Sequence, residues 1–370
     1  MDDRSLDRLT RFRRDLHRIP ELDRDLPKTV KYVKNALSDL RCTVFSPAHS
    51  AVCAYFDCGK EDTVAFRSDM DALPVTETSD CDFASAHPGC MHACGHDGHM
   101  ALVLELAHSV DRLAPDLPHN VLLIFQPAEE TTGGARYICE SGIFERYRVS
   151  HIFGTHLWPA LPAGEVVTRS GPMLAKSSEV NVTVTGKSAH IARAWEGRDA
   201  LLAGMDFLKK AYDMVEREVP PEEPRLLRFG RFVSGTARNA LSAETRMMGS
   251  LRSFTPETFD FMKRRLLEIA SNVEEETGCS VTIDINEGYP PVINDPTLYD
   301  RVKAFLGGDM PGVTEPFMIA EDFSFYGLRV PSLFFLLGTG TEEPLHSDKF
   351  HFDESVLLSG LRLYERLLYL

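Results

Sequence analysis

The 370-residue chain lacks any run of about 18 consecutive apolar residues, so no segment reads as a membrane-spanning helix. Its first 14 residues are dense in Asp and Arg and hold no apolar stretch, which argues against a secretory signal. Without such a signal, eight cysteines in a chain this long do not read as a disulfide framework. Reduced thiols in the cytosol are expected, most of them as small buried hydrophobes. Positive charge is in deficit too: 40 Lys and Arg face 55 Asp and Glu, for a formal net charge of −15. An acidic surface disfavours nucleic acid or an anionic membrane as a partner. The chain also lacks internal repeats and low-complexity tracts.

What is present is an ordinary globular composition, 43% hydrophobic and 26% charged. The length exceeds the roughly 250–300 residues at which single cores stop growing, so two domains are expected. Residues 5–16 and 27–40 carry apolar side chains at helical spacing and read as surface helices. Short strands at 51–57 and 63–67 precede a helix over 98–113, a buried strand at 120–125, a helix over 133–141 and a strand at 151–156. Such alternation implies an α/β sheet with functional residues at strand ends. Near Lys176 the pattern changes, because 179–185 alternates strictly between apolar and polar. A helix over 198–218, strands at 226–233 and 245–252, a helix over 256–276 and a strand at 280–286 complete a ferredoxin-like β-α-β-β-α-β order. The expected fold class is therefore α/β with two domains. A larger domain takes 1–176 and 291–370, and an inserted α+β domain takes 177–290.

The segment Met91-His-Ala-Cys-Gly-His-Asp-Gly-His99 packs His92, Cys94, His96, Asp97 and His99 just ahead of a predicted helix. Thiolate, imidazole and carboxylate are the usual protein ligands for zinc and its neighbours; the competing reading is a His-rich surface loop. Gln126-Pro-Ala-Glu129-Glu130 follows a buried strand, where two adjacent carboxylates are costly unless something positive compensates them. One could bind metal while the other acts as general base on a metal-bound water. His156, in Phe153-Gly-Thr-His-Leu-Trp158, ends an apolar run, and His346 lies in Pro344-Leu-His-Ser-Asp-Lys-Phe350. Together these loops offer one Cys, three His and one Glu, enough for two metals sharing a bridging ligand.

At this point the chain resembles a known family: the N-acyl-amino-acid amidohydrolases, which include hippurate hydrolases, auxin-conjugate hydrolases and N-acetyldiaminopimelate deacetylases. They sit within a superfamily of dinuclear-metal aminoacylases and carboxypeptidases. The resemblance runs nearly end to end, from Arg14-Asp-Leu-His-Arg-Ile-Pro-Glu21 through Phe66-Arg-Ser-Asp-Met-Asp-Ala-Leu-Pro74 to Ala320-Glu-Asp-Phe323 and Leu345-His346, with the His- and Glu-rich segments between. It implies that Cys94 bridges two divalent metals, of which zinc, manganese, cobalt or nickel suit the ligand set. His96 and His156 would complete one site, and Glu130 and His346 the other. Glu129 would be the general base, and Asp71 falls where a carboxylate orients the centre. Asp97 and His99 are expected to support the ligands or cap the helix; His92, His17 and His108 are expected to be structural.

The resemblance also makes the inserted domain a lid and dimerisation surface. His190, in Gly186-Lys-Ser-Ala-His190, would reach the site of a neighbouring subunit and stabilise an oxyanion. Asn239 and Arg252 would hold a substrate carboxylate. The implied reaction is metal-dependent hydrolysis of the amide bond of N-acyl-L-amino acids by a cytoplasmic homodimer. There are departures: Ser188-Ala189 stand where the family often has two glycines, and Ala194-Trp195 where it has Pro-His. Asn239-Ala-Leu-Ser242 replaces Asn-Val-Ile-Pro. Trp195 reads equally as pocket wall or core. Three alternatives stand beside this reading: a metallo-dipeptidase or carboxypeptidase with the same centre, a non-catalytic metal-binding relative, and a hydrolase using Cys94 as nucleophile.

Overall fold

In the computed structural model, which describes residues 3–370, the N-terminal polar segments form helices α1 (Asp3–His17) and α2 (Pro27–Leu37). Each buries one stripe, Leu9, Phe12 and Leu16 on the first and Thr29, Val33 and Leu37 on the second, as 3.6-residue spacing requires. Strands β1 (Thr43–Phe45), β2 (Val52–Phe56) and β3 (Thr63–Asp69) lead to α3 (His96–Leu113) and β4 (Asn120–Gln126). Then come α4 (Gly134–Glu140), α5 (Ile143–Arg146), β5 (Val149–Trp158), β6 (Val166–Thr168) and β7 (Gly171–Leu174). The next stretch holds β8 (Lys176–Thr185), α6 (Ala200–Glu218), β9 (Arg225–Ser234), β10 (Glu244–Ser253), α7 (Pro256–Thr277) and β11 (Ser280–Ile285). The chain closes with β12 (Val292–Asn294), α8 (Pro296–Leu306), β13 (Gly312–Val313), α9 (Ser324–Gly327), β14 (Ser332–Gly338) and α10 (Leu357–Leu367).

Two compact units result. The first combines Met1–Met173, Val292–Glu315 and Asp322–Leu370; the second combines Leu174–Pro291 with Pro316–Glu321. The expected insertion at 177–290 did not include the returning segment 316–321, whose sequence carries no periodic signal.

The first unit is built on a sheet of order β1-β2-β4-β3-β5-β14-β6-β13. Its centre, β4-β3-β5-β14, is parallel throughout. Strands β3, β4 and β14 are buried at every residue, as expected for parallel strands covered on both faces. The carboxyl ends of these parallel strands all face one edge, where open α/β sheets bind their ligands. Strand β14 was not foreseen, since a short apolar run such as Ser332–Gly338 reads equally as buried helix.

The second unit has a four-stranded antiparallel sheet of order β11-β8-β10-β9 with α6 and α7 in its core. The order β-α-β-β-α-β is observed. Strand β8 alternates as its sequence does: Val180, Val182 and Val184 are buried beneath the helices, while Glu179 and Thr185 are exposed. Asp199 and Thr255 cap α6 and α7 by accepting from backbone N–H groups in the first turn. Trp195 is 78% exposed, so it is not a core residue.

Candidate metal centre

Four loops leave the carboxyl edge of the parallel strands, and each brings a polar group to the same place. Strand β3 ends in Asp69 and continues to Asp71. Strand β4 is followed by Glu129 and Glu130, β5 carries His156 near its end, and the segment after β14 supplies His346. Cys94 and His96 arrive at the N-terminus of α3. That helix begins at His96, two residues earlier than its apolar pattern suggests, because Gly95 (φ 85°) acts as its N-cap. A Cβ on Gly95 would lie 2.9 Å from the Leu157 side chain, so the left-handed turn and the close packing both call for glycine. Asp97 is therefore not the cap. Gly134 is constrained more severely: a Cβ there would sit 1.7 Å from the carbonyl oxygen of Pro127. Glycine lets the Gly134 N–H donate to the Ala128 carbonyl oxygen at 3.1 Å, which ties the Glu129–Glu130 turn to the start of α4. Ala128 and His346 both adopt positive φ (59° and 69°), the kind of local strain that collects at functional loops.

The distances describe a ligand cage. Cys94 Sγ lies 3.4 Å from His156 Nε2. His346 Nε2 lies 3.4 Å from Glu130 Oε1, and His96 Nε2 lies 3.9 Å from the same oxygen. Ligand atoms of Cys94, Glu130 and His346 fall within 4.8 Å of one another, as do those of His96, Glu129 and Glu130. A tetrahedral ion with bonds of about 2.0–2.3 Å separates its ligands by about 3.3–3.7 Å. His96 Nε2 and Glu130 Oε1 are buried and make no hydrogen bond among the described residues. Buried polar atoms left without hydrogen bonds are costly, and a cation between them satisfies both. The donor set of thiol, imidazoles and carboxylate therefore fits divalent transition metals.

The surrounding groups aim these ligands. His96 Nδ1 bonds to the Asp71 carbonyl oxygen at 2.8 Å, which points Nε2 into the centre. His156 Nδ1 does the same with the Leu157 carbonyl oxygen at 2.7 Å. The two Asp71 carboxylate oxygens accept from the backbone N–H groups of Glu129 (2.9 Å) and Glu130 (3.1 Å). Asp71 thus fixes the backbone of both glutamates.

Electrostatics follow burial. Burial lowers His156 to about 3 and also lowers His96, so both imidazoles are neutral, the form that binds metal. Burial raises Glu130, but His346 and His96 outweigh it and hold the carboxyl down to about 2. Glu130 in turn raises His346 against its partial burial. Burial and the nearby Glu130 and Glu129 carboxylates push the Cys94 thiol well above its ordinary range. A thiolate there needs a cation beside it.

Several residues of this centre were not foreseen. Asp69 joins His96, His99 and His156 in one fully buried group. His99, for which a supporting role was expected, has Nδ1 2.6 Å from Asp69 Oδ1 and accepts at Nε2 from the Leu157 N–H at 2.9 Å, so it braces β5 next to His156. Arg67, 2% exposed, donates to Asp69 (2.9 Å), Gln126 (2.8 Å) and Asp322 (2.8 Å). Asp322 also accepts from Gln126 Nε2 and from the Ala135 N–H at 3.0 Å. The signal for this group lay in the Ala320-Glu-Asp-Phe323 and Arg67-Ser-Asp69 motifs, which were noted without a role. Asp97 bonds to Arg13 (3.0 Å) and His17 (2.8 Å), away from the ligands. His92 is buried with neither nitrogen hydrogen-bonded among the described residues, and His108 stacks on Phe12.

His190, Asn239 and Arg252 belong to the second unit. The structure brings His190 and Asn239 together: His190 bridges to Ala240 and the Ile191 N–H donates to the Asn239 carbonyl. Both are exposed and lie past the Thr185–Glu244 end of the β8–β10 pair. Arg252 lies at the other end, opposite Ser177, with its guanidinium donating to the Met318 carbonyl oxygen. The eight steps along the strand from Glu244 to Arg252 span roughly 27 Å. The expectation that Asn239 and Arg252 grip one carboxylate is therefore not met within a single copy of this unit.

Among the described residues no helix is long and apolar enough to cross a membrane, and all eight cysteines are free. Residues 65–370 match peptidase family M20/M25/M40. A curated relative, an uncharacterized hydrolase of Staphylococcus epidermidis, is 33% identical over 98% of both chains. A dinuclear metal binding peptidase of the M20 family from Bacillus subtilis superposes with a TM-score of 0.87 at 27% identity, covering 99% of this chain and 98% of that one. An aminobenzoyl-glutamate utilization protein from Klebsiella pneumoniae shares the fold at 20% identity and a TM-score of 0.67, over 99% of this chain and 97% of that one. The chain is a hydrolase belonging to peptidase family M20/M25/M40.

Proposed function

We propose that the chain hydrolyses the amide bond of N-acyl-L-amino acids, such as acetyl or benzoyl conjugates, releasing a carboxylate and a free amino acid. The observation that carries this reading is the cage of Cys94, His96, Glu130, His156 and His346 around two unsatisfied ligand atoms, with Glu129 beside it. Two divalent metals held there, of the zinc, manganese, cobalt or nickel class, would supply Lewis acidity and a more acidic shared water.

In this reading Glu129 would take a proton from the attacking water and return it to the leaving amine. Its backbone N–H donates to Asp71 at 2.9 Å, which fixes the main chain that carries the carboxylate. Arg252 offers a two-pronged donor for the substrate carboxylate, and His190 with Asn239 offers donors for a developing oxyanion. Their separation within one chain supports a homodimer in which one copy lends His190 and Asn239 to its partner's site. The raised Cys94 thiol speaks against cysteine-nucleophile hydrolysis, which needs a lowered one. The free cysteines suit a reducing cytoplasm.

The competing reading is a dipeptidase or carboxypeptidase, favoured by the peptidase name of the Bacillus subtilis neighbour. One assay separates them. Metal-stripped protein is reloaded with Mn²⁺, Zn²⁺, Co²⁺ or Ni²⁺ and offered acetyl- and benzoyl-amino acids beside dipeptides. Metal-restored cleavage confined to N-acyl amino acids is expected, and cleavage of dipeptides alone would overturn the proposal. Glu129→Gln should lower kcat by about 10²–10⁴-fold while metal content stays unchanged. Near-normal turnover in that variant removes Glu129 from its role.

A further inference from the structure

A second group of metal-ligating side chains lies outside this centre, where the end of α1 meets the loop ahead of α3. His17 Nε2 is 3.2 Å from Glu77 Oε1, and Cys81 Sγ is 3.6 Å from the same oxygen. All three ligand atoms fall within 4.8 Å of one another. We propose that His17, Glu77 and Cys81 form a separate zinc-class metal site.

The spacing is the first argument. A tetrahedral zinc with N and O ligands at about 2.0 Å and S at about 2.3 Å sets N–O edges of about 3.3 Å and O–S edges of about 3.5 Å. The observed 3.2 and 3.6 Å match two of those edges, and the third, between His17 Nε2 and Cys81 Sγ, is within 4.8 Å. Ser79 Oγ lies 3.3 Å from Cys81 Sγ and donates to Glu77 Oε1, a bond that would have to lengthen for the hydroxyl or a water to serve as fourth ligand.

The supporting shell is the second argument. His17 Nδ1 bonds to Asp97 Oδ2 at 2.8 Å, which fixes the ring with Nε2 turned toward Glu77 and Cys81. This carboxylate–histidine arrangement is the one that orients and strengthens imidazole ligands in metal sites. Glu77 Oε2 is held by the Ser85 N–H at 2.6 Å, which leaves Oε1 to face His17 and Cys81. Two cations face the group: Arg13 has its charge taken by Asp97 and Glu354 at 3.0 Å each, and Arg14, which acts on Cys81, is paired with Glu354 at 2.8 Å. The His17 and Glu77 side chains are buried, at 2% and 5% exposed, and Cys81 is the part-exposed member through which an ion would enter.

Binding replaces protons with one ion. The Cys81 thiol gives up its proton to become a thiolate, a protonated His17 gives up the Nε2 proton, and Nδ1–H stays on Asp97. Thiolate, imidazole and carboxylate together favour zinc or cobalt over magnesium or calcium. The site is linked to the first centre through one residue: Asp97, which holds His17, is the chain neighbour of His96.

The test uses the full chain, stripped of metal and titrated with zinc alone. Bound zinc is counted by equilibrium dialysis and elemental analysis in the wild type, Cys81→Ala and Cys81→Ser. The expected result is one zinc fewer per chain in both variants, with hydrolytic activity retained. In unmodified protein, zinc should also slow iodoacetamide labelling of Cys81 at least tenfold, read by peptide mapping, a measurement that needs no variant. Equal zinc counts in wild type and both variants, or Cys81 labelling untouched by saturating zinc, would overturn the site.

Discussion

His156, near the end of β5, and His190, in the loop after β8, both lie toward strand ends, yet the two parts of the molecule treat them differently. His156 is 7% exposed, its Nδ1 is tied to a backbone carbonyl, and burial keeps it neutral. His190 is exposed, and its Nδ1 accepts from the Ala192 N–H in a short 3₁₀ turn. The same contrast holds for the sheets that carry them. The parallel centre of the first unit buries strands whole, so any polar group there must be compensated by another part of the chain. The sheet of the second unit shows alternate residues to solvent, so its polar groups need no partner. Rigid geometry for chemistry is built in the first setting; the second supports residues that await a ligand or another copy.

Breaking a compensated group should cost most. Asp322→Ala leaves Arg67 and Gln126 buried without their shared acceptor, and a loss of about 3–5 kcal/mol in urea unfolding is expected. A cost below 1 kcal/mol would mean that Arg67 finds water or another acceptor. Metal removal comes next. An ion held at 100 times its Kd stabilises the folded state by about 2.7 kcal/mol, so chelation should lower Tm and added metal should restore it. If the loss is confined to the unfolding of the first unit, the contrast sharpens; an equal loss in both would blur it.

A pH effect follows from the His17–Glu77–Asp97 group in metal-free protein. Burial raises the Glu77 carboxyl, but bonds from His17, Ser79 and the Ser85 N–H dominate and hold it down to about 2. Its folded value is depressed, so its contribution is complete above its ordinary value near 4.5 and is lost as pH falls toward 2. Burial lowers His17, yet Asp97 and Glu77 leave it net raised, so its contribution is complete below 6.5 and fades as pH climbs through the raised value. Stability from this group should therefore peak between about pH 4.5 and 6.5. Glu77→Gln should flatten the acid limb of a stability–pH curve, and an unchanged limb would assign the acid loss to other carboxylates. The smallest effect is expected in the second unit, where Arg231→Ala on the exposed sheet surface should shift stability by less than about 0.5 kcal/mol.

Much of the centre was legible because its ligands sit in dense local motifs at the ends of apolar runs. Cys94 and His96 lie two residues apart, and Glu129 and Glu130 are adjacent. The supporting groups were not legible, because their meaning depends on distant partners. Arg67 and Asp322 are 255 residues apart, and nothing near either one announces the other. Strand β14 was missed for a related reason: only its seat between β5 and β6 distinguishes it from a buried helix. Ferredoxin-like order was readable because its strands alternate and its helices are amphipathic, both local properties. The split of His190 and Asn239 from Arg252 was not, since it requires the strand register.

That seat of β14 has a consequence for synthesis. The strand enters the middle of the sheet, parallel to β5 and antiparallel to β6, although it leaves the ribosome long after both. Gly338 follows Trp158 by 180 positions, roughly 9–36 s of translation at about 5–20 residues per second. Throughout that interval β5 has no hydrogen-bonding neighbour on that side, and the last candidate metal ligand, His346, has yet to be made. A nascent chain truncated before Ser332 would present an open apolar strand edge, the template on which aggregates grow.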